Sequence, residues 1–257
     1  MEDSRLNFHR DFLKDSLRKR INFAMTDQSR GVPPPPLQKP FDPDAPRIRL
    51  LPPSLWRSCI RHPELLGAMA SRQSRRSFSG ASLTLEELSF LLWSTQGIRR
   101  KVNEGTALRT VPSAGARHSF ETYLFVRAVD QVEKALYRFL PLHNELLFLG
   151  EVEGMESRLS RASLGQGFVG SAAVTLVWAT IPYRMEWRYG LAAHRVILMD
   201  VGHVCQNLYL ACEAIGAGTC AVAAYDQERL DQLIGLDGQE EFAVYLAPVG
   251  KVREQDE

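Results

Sequence analysis

The chain has 257 residues, 45% hydrophobic and 24% charged, a composition that buries a substantial core and excludes a disordered or collagen-like protein. Its 31 Lys plus Arg against 30 Asp plus Glu leave a formal charge of +1, which excludes the basic excess that non-specific nucleic-acid binding requires. The longest apolar run, AAVTLVWATI at 172–181, falls far short of the roughly 20 residues that cross a bilayer and reads as a buried strand. The opening MEDSRLNFHRDFLKDSLRKR is charged throughout and lacks the apolar core of a secretory signal. The expectation is a cytoplasmic protein with neither a membrane nor a nucleic acid as partner.

Residues 1–55 form one compositional zone: a charged, helical start, then the run Pro33, Pro34, Pro35, Pro36 and further prolines to Pro53. Each proline removes an amide donor and restricts its predecessor, so this arm is predicted to lie extended over the rest of the molecule. A proline-rich ligand for a signalling module is the alternative. Residues 56–257 form the second zone. A short helix over 63–70 leads to a helix that opens at Thr84 with the capping box Thr84/Glu87, carries the stripe Leu88, Leu91, Leu92 and runs to about residue 96. Extended segments follow at 120–129, 136–140 and 146–149. Next come a helix over 155–164, the strand at 172–181, a buried helix over 200–215 stopped by Gly216, a short amphipathic helix over 226–234 and a last strand at 242–249. This order predicts one α+β domain with an extended arm. Cys59, Cys205, Cys212 and Cys220 show no C-x-x-C pair and read as free thiols; neither they nor the six histidines have metal-ligand spacing, so no metal is expected.

Gly165-Gln166-Gly167-Phe168-Val169-Gly170 matches G-x-G-x-x-G, but a charged helix precedes it and a strand follows. A dinucleotide site needs the reverse order, so the match is set aside. Arg72, Arg75 and Arg76 with Ser74 and Ser77 group guanidiniums and hydroxyls that suit a phosphate or, equally, a solvated basic turn. The small residues of 109–118 and 216–226 allow close backbone approach to a flat ligand, and plain loops have the same composition. Gly250-Lys251-Val252-Arg253 adds a compact basic pair.

Together these segments resemble the nitroreductase superfamily of FMN-dependent oxidoreductases, and within it the SagB-type dehydrogenases that include thiazole- and oxazole-forming oxidases. Residues 71–78 look like the family's R-x-S-x-R-x-F motif, Pro112-Ser113-Ala114-Gly115-Ala116 like P-S-A-G-A, and 202–226 like G-H-x-x-Q-N-L-x-L followed by G-x-G-T-C. The resemblance spans about residues 30–253. It implies a central, mostly antiparallel sheet flanked by helices in an intertwined homodimer. It also implies that Arg72, Gln73, Ser74 and Arg76 hold FMN, with Lys251 and Arg253 completing the phosphate site. Pro112, Ser113, Ala114 and Gly115 would lie against the isoalloxazine from the other subunit, and backbone amides near Ala223 and Ala224 would face its N5 edge. Where the family often has Asn and Gln, this chain has Ala116 and His118. The helix over 200–215, with Val201, Val204, Cys205, Leu208, Leu210, Ala211, Ala214 and Ile215, is expected at the dimer interface.

Azoline oxidases of that branch carry a Lys-Tyr pair, implicated in proton removal, in a segment similar to Trp187-Arg188-Tyr189-Gly190. Here the lysine is Arg188, and a guanidinium does not give up its proton, which leaves Tyr189 beside that guanidinium as the candidate base. A surface turn closing a strand is the plain alternative. Three functions are carried forward. The first is an FMN-dependent dehydrogenase oxidising an azoline-like C–N bond in a small molecule or peptide. The second is a reductase of nitroaromatics or quinones with NAD(P)H as donor, and the third is a non-catalytic flavin- or partner-binding protein.

Overall fold

The computed structural model describes the backbone of residues 2–253 and the side chains from Leu6 onward; residue 1 and residues 254–257, the outer ends of the two compositional zones, lie outside the described residues. In chain order the elements are α1 (Glu2–Phe12), β1 (Arg47–Arg49), α2 (Pro53–Trp56), α3 (Leu65–Ser71), α4 (Leu85–Gln96), β2 (Ile98–Asn103), β3 (Thr106–Arg109), β4 (Phe120–Val126), β5 (Ala135–Leu140), β6 (Glu145–Gly150), α5 (Met155–Ala162), α6 (Gly167–Ser171), β7 (Val174–Thr180), α7 (Tyr183–Tyr189), α8 (Ala193–Ala214), β8 (Ala217–Thr219), α9 (Gln227–Ile234) and β9 (Phe242–Lys251).

Seven strands form one sheet in the order β1-β6-β5-β4-β7-β9-β8, and every ladder in it is antiparallel. The residues of β4 and β7 are buried on both faces because each face is covered by helices. Leu124, Val126, Leu176 and Trp178 share a core with Leu88, Leu91 and Leu92 of α4 and Val204, Leu208 and Cys212 of α8. Their neighbours Tyr123, Phe125 and Val177 point the other way, against Met155 and Leu159 of α5 and Leu230 and Ile234 of α9. The predicted α+β fold with its antiparallel sheet flanked by helices is the fold observed. No helix among the described residues is long and apolar enough to cross a membrane.

The capping box works as its sequence requires: Thr84 Oγ1 accepts from Glu87 N at 3.2 Å, and Glu87 Oε2 accepts from Thr84 N at 3.0 Å. Three features differ from the expectation. The helix predicted over 200–215 begins at Ala193; its first turns carry the polar His194 and Arg195 outside the apolar stripe that marks the rest, which hid its start. The hairpin of β2 and β3 arises from a segment to which the sequence assigned no element; β2 is almost wholly exposed, so no buried alternation announces it. Residues 183–189 form the helix α7, not a turn. The glycines of the G-x-G-x-x-G match sit between α5 and β7, with Gly167 opening the five-residue α6.

The proline-rich stretch is extended and tied down at successive points. Leu37 O accepts from the buried Arg109 at 3.1 Å, Lys39 N donates to Glu121 Oε1 at 2.8 Å, and Lys39 O and Pro40 O each accept from Arg138 at 3.1 Å. β1 then extends the sheet edge beside β6. Further upstream, Gln28 N donates to Trp187 O and the Trp187 indole N–H donates to Val32 O, both at 2.9 Å. The arm therefore crosses the sheet edge and also straps α7.

Candidate functional site

Residues 72–79 run flat along β8 and the end of β9 because two glycines let them approach. A Cβ on Gly218 would lie 2.6 Å from Arg75 Cδ, and one on Gly250 would lie 2.8 Å from Phe78 Cγ. Arg75 N donates to Thr219 O at 2.9 Å and Ser79 N to Lys251 O at 2.8 Å. Tyr209 of α8 gathers three of the candidate elements. Its hydroxyl accepts from Ala221 N at 2.8 Å and shares a hydrogen bond of 3.0 Å with Ser74 Oγ in which either hydroxyl can donate. The Arg72 guanidinium stacks over its ring, 5.5 Å from the centroid. Arg76 is exposed and lies 6.0 Å over Phe168. Gln73 is exposed, as are Ala223 and Ala224. The N–H groups of Ala223 and Ala224 donate to no acceptor among the described residues, while Ala224 O accepts from Gln166 at 2.9 Å.

The basic side chains divide. Among the described residues Arg72, Arg76 and Arg253 pair with no carboxylate, so their charge is available to an anion. Lys251 turns inward instead, donating to Glu87 in the first turn of α4 and to Ile215 O at 3.1 Å. Arg75, read with the basic cluster, is nearly buried and faces Glu213 at 3.9 Å.

A second constellation forms around the small-residue loop. Asp200 of α8 accepts from Ala114 N at 3.2 Å and is also hydrogen-bonded by Ser113, and burial holds its carboxyl above the usual range. Ser113 Oγ accepts from His118 N at 2.9 Å. Gly115, Ala116 and His118 have φ of 58°, 53° and 47°, and non-glycine residues persist there only when their surroundings hold them. Pro112 is exposed. A Cβ on Gly115 would meet both Arg188 Nε and Tyr189 Oη at 2.7 Å, so glycine is required for the end of α7 to pack against this loop. Arg188 also lies 5.5 Å over the Tyr189 ring. Burial and the nearby Arg109 and Arg117 guanidiniums push His118 down to about 3, so it is neutral wherever the protein is folded near neutral pH.

The structure thus groups Arg72, Ser74 and Ala221 around Tyr209, and Ser113 and Ala114 at Asp200, with Arg188 and Tyr189 packed on the adjacent Gly115. Within one chain it does not bring the two groups together. Asp200 and Tyr209 are nine residues apart on α8, about 13 Å along the axis and two and a half turns round it. Sequence reasoning assigned no role to either. Asp200, an acid inside an apolar helical stripe, was a readable signal; Tyr209 passed as one more large residue of that stripe. Among the described residues no three His, Cys, Asp or Glu converge as a metal site would need.

Residues 69–251 match the model of the Nitroreductase family. A protein of Methanocaldococcus jannaschii, named provisionally as a nitroreductase, is 34% identical over 193 residues, which cover 75% of this chain and 93% of that protein. A crystal structure from Anabaena variabilis, also named provisionally as a nitroreductase, superposes on 84% of this chain with a TM-score of 0.70 and 22% identity, and this chain spans 43% of its length. A chain of the E. coli microcin synthetase McbBCD complex, described with truncated pro-MccB17 bound, superposes on 80% of this chain with a TM-score of 0.59 and 19% identity, covering 84% of that chain. The chain belongs to the nitroreductase family, a family of oxidoreductases.

Proposed function

We propose that the protein is a homodimeric, FMN-dependent dehydrogenase of the SagB type that oxidises an azoline-like C–N bond, with the flavin held between two subunits. The observation that carries this reading is the packing of Arg188 and Tyr189 against the strained Gly115 loop, which puts a proton-handling pair beside the backbone assigned to the ring. The residues present fit the cofactor. Arg72 and Arg76 offer unpaired guanidiniums to its phosphate, Ser74 a hydroxyl, and Ala223 and Ala224 exposed N–H groups to a ring edge. Arg253 adds a charge, and Lys251, engaged by Glu87, acts as a support beneath the site. The separation of the two constellations on opposite sides of α8 supports a site completed by a second copy.

FMN, when bound, supplies a two-electron acceptor for hydride. The chain's own part is to hold the substrate carbon towards it and to take the accompanying proton at Tyr189 Oη. The Arg188 guanidinium, packed over the Tyr189 ring, supplies positive charge beside that oxygen. Because the microcin synthetase is described with a peptide bound, the substrate class extends to an azoline carried on a peptide. The second reading, an NAD(P)H-dependent nitroaromatic or quinone reductase, is favoured by the name of the 34% identical relative.

The purified protein is expected to be yellow, with stoichiometric FMN released on denaturation. Tyr189→Phe should keep its FMN and lower azoline oxidation far more than it lowers flavin reduction by NAD(P)H. Equal activity of variant and parent in both assays removes Tyr189 from the mechanism. Brisk nitro reduction without azoline oxidation selects the reductase.

A further inference from the structure

Arg117 is buried, at 7% exposure, two residues beyond Gly115. Its Nε donates to Gly115 O at 3.0 Å, and its Nη2 donates to Gly105 O at 3.0 Å and to Thr106 Oγ1 at 2.9 Å. The face of the same guanidinium covers the Trp187 ring, 5.2 Å from the centroid. One planar group therefore joins the loop, the β2–β3 hairpin and α7. Trp187 is fixed from its other side by the arm through Gln28 and Val32, and the next two residues are Arg188 and Tyr189. Arg117 is also close enough to Arg188 and Tyr189 for both to act on its charge.

This arrangement is poorly explained as packing alone. Burial works against the charged form of Arg117, and a buried cation persists where its geometry is used. Lysine could supply the charge but not the fork that engages Nε and Nη2 acceptors on separate elements while a flat face covers an indole. One of the three bonds holds the Gly115 carbonyl while the guanidinium face meets Trp187, so this group bridges the Gly115 backbone and the helix that carries the Tyr189 hydroxyl.

Building on the function proposed above, we infer that Arg117 is a positioning residue that seats α7 against the Gly115 loop and so holds the Tyr189 hydroxyl at the site. Its partners are Gly115, the β2–β3 hairpin and Trp187, and it acts through Trp187 and Gly115. Displacing a reacting group by about 1 Å costs on the order of 100-fold in rate.

The test uses the full-length protein with 3-fluorotyrosine at position 189 alone, comparing the parent, Arg117→Lys, Arg117→Gln and a remote destabilised control, Leu230→Ala. In both Arg117 variants the fluorine resonance should move and broaden, while the control keeps the parent signal. Lysine should fail to restore it. With substrate, kcat should fall roughly 10- to 100-fold and KM stay within about threefold. An unchanged resonance in Arg117→Gln overturns the inference, and so does the same displacement in Leu230→Ala, which would mark general loosening. The fluorine signal needs no turnover, so a protein that oxidises no azoline would sink the functional reading and leave this one to its own result.

Discussion

At the scale of single residues, Arg72 has the clearest consequence. Its guanidinium stacks on Tyr209 and has no carboxylate partner among the described residues, so the phosphate of FMN would be its principal charge partner. Arg72→Ala removes a charge-assisted contact of about 1.5–3 kcal/mol, and FMN affinity measured by fluorescence titration should fall roughly tenfold to a hundredfold. His118 makes a pH prediction. Folded, it titrates at about 3 against 6.5 for the free side chain, so between those values the unfolded chain binds a proton that the folded chain refuses. Its contribution to stability is therefore complete above pH 6.5 and is lost as pH falls towards 3, with a slope of up to about 1.4 kcal/mol per pH unit. Asparagine tolerates the positive φ of this position, so His118→Asn should fold. Between pH 7 and pH 5 the parent should lose about 2 kcal/mol more unfolding free energy in urea than the variant does.

At the scale of elements, the arm and α7 form one mechanical unit. Besides Gln28 and Val32 on Trp187, Tyr183 donates to Asp27 at 2.8 Å and Arg195, in the first turn of α8, pairs with Asp15 at 2.9 Å. Deleting residues 1–32 removes all four ties. Amide hydrogen exchange over 183–192 should then quicken by about tenfold or more, while 201–212, buried in the main core, keeps its protection. Legibility from sequence divides along the same physical line. α4 and α9 announced themselves because burial on a defined face imposes a period, and Thr84 with Glu87 fixed an end; β4 and β7, buried on both faces, announced themselves instead by runs rich in apolar, β-branched and aromatic residues. The β2–β3 hairpin and α7 are held by specific polar ties, Arg117 to Gly105 and Trp187 to Val32, which leave no period behind. The sequence offered motifs for a site, while Tyr209, which gathers three of the candidate segments, passed as one more large residue of its helix, and Asp200 stood out as an acid with no role assigned.

At the scale of the whole molecule, the uncovered apolar surface decides the expected association. Of the residues that the sequence suggested for an interface, Val201, Val204, Cys205, Leu208, Ala211 and Ile215 are buried by their own chain, and Leu210 and Ala214 are half-buried. The apolar side chains left exposed include Leu191, Leu198 and Met199 around the start of α8, and Leu65, Leu66 and Met69 on α3. If these faces meet a second copy, light scattering should give a dimer at micromolar concentration. Leu198→Glu combined with Met199→Glu should then give a monomer that binds FMN at least about tenfold more weakly, because each site is completed in trans. A monomer that keeps full FMN affinity would remove the dimer from the reading.

The place of β9 bears on how the molecule comes into being. β9 does not close the sheet at an edge; it lies between β7 and β8 and supplies the register on which both depend. The arm is anchored in part by a residue far along the chain: Lys39 meets Glu241 at 2.5 Å across 202 residues of sequence. Synthesis runs from the amino end, so this tie waits until the chain has passed Glu241. Contacts of such sequence separation are expected to form after the more local pairings of the sheet. The tie of Trp187 to Val32 spans 155 residues, and by the same reasoning the seat of α7 is expected to be completed after the hairpins are in place.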